Sequence, residues 1–206
     1  MPLQQSLATF KSGATQCASL IANAHRQDAG GASVMPPLDR EQISVAAFLN
    51  LFVAWETFLE DVIAKLLSGA STISGSLPRK FASPPGPSEA KVMLVGIQKF
   101  FDYGNHENVR KIARIYFDNG SPLEPHLSSI YQDLADMRTM RNASAHLSST
   151  TQSAIESLAQ RIFAVPKPGI SLYSLLMAPD PRSGVGNTVF AECQSKLEAV
   201  AAMIVQ

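Results

Sequence analysis

DREQISVAAFLNLFVAWETFLEDVIAKL, residues Asp39 to Leu66, decides the fold class. Ile43, Ala46, Ala47, Leu51, Ala54, Trp55, Phe58, Val62 and Leu66 recur at three- and four-residue spacing, which gives a helix one broad apolar face. Asp39 stands where an N-cap belongs, because its side-chain oxygen can accept from the unpaired N–H groups of the first turn. The period-two alternation of a half-buried strand is missing here, and it is scarce elsewhere.

The same helical period extends to both sides. A preceding helix is expected over about Leu3 to Arg26, ended by Gly30-Gly31 and Pro36-Pro37. Ser68 to Pro87, rich in Pro, Gly and Ser, reads as a loop. Ser88 and Glu89 restart a helix to about Phe101, and Asn105 to Phe117 forms another, closed by Asn119-Gly120. The next helix starts near Pro122 or Pro125 and turns Leu127, Ile130, Tyr131, Leu134, Met137 and Met140 inward. Ser148, Ser149 and Thr150 offer caps for a helix to about Phe163. Pro166 to Asn187 is irregular, and Thr188 to Val205 closes the chain as an amphipathic helix. The expectation is an all-α bundle of about five to seven helices with two long irregular loops, one domain over residues 1–206, because each helix buries one stripe against its neighbours.

Composition narrows the function classes. The 206 residues carry 17 Lys plus Arg against 17 Asp plus Glu, a net charge of zero. That excludes the basic footprint of a protein that coats nucleic acid but leaves room for a small cationic cleft. Cys17 and Cys193 lie near opposite ends among Ala, Leu and Val, without ligand spacing, and read as small core residues. The first ten residues lack a basic segment followed by an apolar one. Val45 to Trp55 is shorter than a membrane span and leads into Glu56, Glu60 and Asp61. A cytoplasmic protein without membrane contact is the expectation. His25, His106 and His126 have no acidic or cysteine partners at ligand spacing and read as caps or surface residues, so no metal or cofactor is expected. Gly184-Val-Gly186 lacks the strand and lysine of a phosphate loop.

Chemistry concentrates in Asp136 to Leu147, DMRTMRNASAHL. Arg141 supplies a permanent forked cation suited to phosphate, and His146 a group that gives and takes protons near neutral pH. Together they suffice in principle to break an RNA phosphodiester without a metal. Asn142 and His146, four apart, share a helix face, so the carboxamide can orient the imidazole or contact phosphate. Arg138, one turn before Asn142, either extends the cationic strip or pairs with a carboxylate at the surface. Glu56 is flanked at helical spacing by Phe52, Val53, Leu59 and Ile63, a costly setting for an unpaired carboxylate.

Arg141-Asn142-x-x-x-His146 matches the R-x4–6-H motif of the HEPN superfamily, the higher eukaryotes and prokaryotes nucleotide-binding helical domains, including the polar residue after Arg. Ala54-Trp55-Glu56-Thr57-Phe58-Leu59-Glu60-Asp61 resembles an early helix of the RiboL-PSP-like or MAE-like branch, and the resemblance spans about Asp39 to Phe163. It implies a helical bundle, usually dimeric, in which two motif copies meet in a shared cleft. Many members are metal-independent endoribonucleases of toxin–antitoxin or phage-defence systems, so RNA, a second copy and an antitoxin protein are the implied partners. Arg141 and His146 would be the catalytic pair, and Arg141 or Arg138 the partner of Glu56, either to brace the bundle or to support the site. Where members paired with nucleotidyltransferases carry a modifiable Tyr two residues after His, this chain has Ser148.

The spacing agrees with a shared site. Five residues of regular helix turn by about 140°, so Arg141 and His146 diverge on one straight helix. They reach one phosphate when the helix distorts, when Arg wraps round, or when a second copy supplies the missing member. The rival reading is a non-catalytic dimerisation or adaptor module that keeps the motif for structure.

Overall fold

The computed structural model describes residues 2–96, 99–145 and 148–206. Among them the chain forms nine α-helices and no strand, an all-α protein. In order they are α1 (Leu3–Ala24), α2 (Pro37–Leu67), α3 (Pro87–Val95), α4 (His106–Tyr116), α5 (Leu123–Ser129), α6 (Tyr131–Ala145), α7 (Ser149–Phe163), α8 (Leu172–Met177) and α9 (Val189–Val205). A 3₁₀ turn at Asp118–Gly120 and three isolated bridges, one of them Lys80 to Phe117, complete the regular structure.

Local chemistry explains where the helices depart from expectation. α2 opens two residues before Asp39, at Pro37, since a first-turn proline has no N–H to leave unpaired. Asp39 therefore sits inside the first turn, where the positive end of the helix dipole favours it. α3 stops at Gly96, whose φ of 60° suits a helix end, well before Phe101. The helix expected from Pro122 or Pro125 is two helices, broken at Ile130 (φ −119°, ψ 29°). Just before the break, Ser128 Oγ donates to Glu124 and Ser129 Oγ to the His126 carbonyl, local bonds that compete with helix continuation. Ile130 is consequently half-buried and Tyr131 exposed, whereas Leu127, Leu134, Met137 and Met140 are buried. α8 arises inside the segment read as irregular: Ser171 caps it by accepting from Ser174 N–H, while Leu175 and Leu176 are buried. These two changes raise the helix count above seven.

Contacts divide the chain into two compact units. The first comprises residues 1–12, 53–134 and 197–206. Its core includes Trp55, with ring centroids 5.8 Å from Phe10 and 5.6 Å from Phe58, and Phe117, Leu123 and Leu127. Asp61 accepts from Ser6 at 2.6 Å and from Lys65 at 2.7 Å, tying α1 to α2. Glu124 gathers Arg110 at 2.8 Å, Arg114 at 2.5 Å and Ser128 at 2.8 Å. Led by the Arg110 bond, these donors lower its carboxyl to about 2.

The second unit comprises residues 13–52 and 135–196. Phe48, Met137, Met140, Ile155, Leu158 and Phe190 are among its buried residues. Ser148 forms a capping box for α7: its hydroxyl accepts from Thr151 N–H, and Thr151 Oγ1 accepts from Ser148 N–H at 2.9 Å. Both cysteines are buried thiols, and burial pushes Cys17 up.

α2 is long and apolar enough, by length and composition, to cross a membrane, which the Val45–Trp55 stretch alone is not. Phe48, Phe52, Leu59 and Ile63, outside the expected stripe, are buried along with most of it, while Val53 is exposed. A helix apolar on most of its surface is a core helix or a span. The second half of α2 carries Glu56, Glu60, Asp61 and Lys65.

Candidate functional site

Arg138, Arg141 and Asn142 lie in the last turns of α6. Arg138 and Arg141 are half-buried, and Asn142 is exposed. Arg141 Nη1 donates to Asn142 Oδ1 at 3.3 Å, and Ser144 Oγ donates to the Arg141 carbonyl at 2.6 Å. Ala143, between them, faces the core at 5% exposure. The helix thus turns its small residue inward and brings Arg141 and Asn142 together at its rim. None of Arg138, Arg141 and Glu56 stands unpaired. His146 and Leu147 lie outside the described residues. By chain order His146 directly follows Ala145, the last residue of α6, and precedes the Ser148 cap of α7 by two positions.

Asp136 anchors this end of the unit. It is buried, and Arg161 Nη2 of α7 donates to its Oδ1 at 2.5 Å. That bond couples the helix before residues 146–147 to the helix after them.

Glu56 belongs to the first unit and the motif arginines to the second. Its Oε1 is shielded from solvent, and Phe52, Leu59 and Ile63 around it are buried. Val53, grouped with them from the sequence, is instead 47% exposed, so Glu56 has apolar neighbours on fewer sides than the spacing suggests.

Two of the other histidines depart from a surface role. His25 Nδ1 donates to the Ile21 carbonyl at 2.9 Å, which leaves Nε2 to accept from Tyr173 Oη at 3.1 Å. His106, the first residue of α4, is buried and stands edge-on to Tyr131 with centroids 4.7 Å apart. His126 is half-buried.

Beside the motif, within the second unit, runs a groove of about 480 Å³ that the sequence did not announce. Leu38, Val45 and Leu49 of α2 and Leu172 of α8 give it apolar walls, with Ala143 and Ser144 on the motif side. Tyr173, its ring stacked on His25 with centroids 6.0 Å apart, also lines it. Ala46 also lines it, and is exposed rather than on the inward stripe. A signal existed: Leu38, Gln42, Val45, Ala46 and Leu49 are themselves at helical spacing, a second stripe on α2. No family model, curated protein or solved structure matches the chain.

Proposed function

We propose that the protein is a metal-independent endoribonuclease of HEPN type, acting as a homodimer in the cytoplasm within a toxin–antitoxin or phage-defence setting. The observation that carries this reading is the Arg141–Asn142 pair, hydrogen-bonded at 3.3 Å at the end of α6, within one and a half turns of His146 in sequence. Arg141 would stabilise charge building on the phosphoryl oxygens. His146 would take the proton of the ribose 2′-OH or give one to the leaving 5′-oxygen. Asn142, exposed and held by Arg141, supplies an amide that can orient the imidazole or meet a phosphate. Glu56 fits a supporting role, and Arg138 a second phosphate contact. The absence of net charge is compatible with action on a single phosphate.

The products follow from the chemistry: attack by the 2′-oxygen leaves a 2′,3′-cyclic phosphate and a 5′-OH, so DNA is inert. Incubation of the purified protein with total RNA, with and without a chelator, followed by end-group analysis, tests the proposal. A dimerisation or adaptor module is the competing function, and the absence of any RNA cleavage would select it.

A further inference from the structure

We infer that the groove between α2 and the end of α6 seats a guanine base of the RNA, the base of the nucleotide whose phosphate lies at Arg141; this rests on the ribonuclease reading. The groove's volume of about 480 Å³ is within the range of small-molecule sites, and its walls are largely apolar. Among the described residues that line it, Glu41 is the only charged one; it is half-buried and makes no hydrogen bond or ion pair with any described residue. Most other polar side chains along it are engaged. Ser144 donates to the Arg141 carbonyl, Ser171 caps α8, Tyr173 bonds to His25, and the Gln152 amide donates to Glu156 and to the Ile170 carbonyl.

A carboxylate in an apolar groove repels phosphate and recruits N–H donors. The motif a turn away does the reverse. Arg141 and Ser144 are three apart on α6, so their Cβ atoms are about 5–6 Å from one another. One nucleotide has matching polarity, with an anionic phosphate at one end and a flat base at the other. Among RNA bases, guanine presents two adjacent N–H donors, N1 and N2, to the two oxygens of a carboxylate. Uracil places carbonyl oxygens on both sides of its one N–H and would set an acceptor against Glu41. Bases in single-stranded RNA are commonly bound through these edges with an aromatic ring on the face, and Tyr173, stacked on His25 on one side, is the aromatic residue lining the groove.

The test is equilibrium binding of 2′-O-methyl RNA hexamers, which a 2′-OH-dependent nuclease cannot cleave, each five uridines with one guanine, inosine or uracil in the middle. The guanine hexamer is expected to bind at least about tenfold tighter than the inosine and uracil hexamers, since inosine lacks the second donor. Glu41→Gln should remove most of that preference with helicity unchanged, and Ala46→Phe, filling the groove, should do the same. Arg141→Ala should weaken all three hexamers alike and keep the preference. Equal binding of the three hexamers, or a preference that survives Glu41→Gln, overturns the inference. So does free guanosine 3′-monophosphate binding as tightly as the guanine hexamer, which would mark a free-nucleotide site. Binding of an arginine–leucine peptide with no hexamer bound would mark a protein-docking groove instead. RNA cleavage without base preference sinks this inference and leaves the nuclease reading intact; a guanine preference with no cleavage of natural RNA does the opposite.

Discussion

Arg161 on α7 donates to the buried Asp136 on α6 at 2.5 Å, and this bond fixes the two helices that flank residues 146–147. The Asp136 side chain is 7% exposed and the Arg161 side chain 48%, so the carboxylate depends on the arginine more than the reverse. Arg161→Ala should therefore lower stability by about 1–3 kcal/mol, because a buried acceptor loses a charged donor. Urea unfolding followed by circular dichroism reads this as a lower midpoint at unchanged slope. An unchanged midpoint would show that other partners suffice for Asp136.

Glu124 gives a pH signature. Its carboxyl is lowered from 4.5 to about 2, first by the Arg110 bond and then by Ser128 and Arg114. A carboxyl depressed on folding stabilises the protein fully above its unfolded value and loses that contribution as pH falls through its folded one. Glu124→Gln should be less stable than wild type at pH 6, by about 1–2 kcal/mol. The difference should shrink between pH 4.5 and about 2. A gap that is constant across that window contradicts the assignment.

Trp55 is the only tryptophan, 1% exposed, and stacked on Phe58. Trp55→Ala should cost about 3–5 kcal/mol, the range for emptying a large aromatic site. In the wild type the emission should start blue-shifted and move to the red in step with loss of helicity. Two separated transitions would show that the first unit unfolds on its own.

A site completed by a second copy, as proposed, requires a dimer. Light scattering at micromolar concentration should give twice the chain mass of 22.1 kDa, for the wild type and for Arg141→Ala alike. A monomer that cleaves RNA would contradict a site shared by two copies.

Much of the fold was legible because burial has the period of a helix. Leu51, Trp55, Phe58, Val62 and Leu66 fall on the expected stripe and are buried. The Ser148 cap and the end of α7 at Phe163 follow from side chains a few residues apart. The break at Ile130 was not legible, since it depends on what Ser128 and Ser129 bond to. α8 was hidden by prolines and glycines on both sides and is held by burial of Leu175 and Leu176, a tertiary effect. Of the site, Arg141 and Asn142 could be read from residue type and spacing. Glu41 could not: an acid near the start of a helix reads as a complement to the dipole, and only its place on the groove sets it apart.

Cleavage of RNA by the wild type, Arg141→Ala and His146→Ala, each with and without EDTA, tests the central claim most directly. The wild type should cut RNA to 2′,3′-cyclic phosphate and 5′-OH ends, equally in EDTA. His146→Ala should lose about 10²–10⁴-fold in rate, the typical worth of a positioned acid–base group, and Arg141→Ala about 10²–10³-fold, that of a charge-stabilising donor, both with wild-type helicity. Cleavage that persists in His146→Ala, or that vanishes from the wild type with EDTA, would contradict the account.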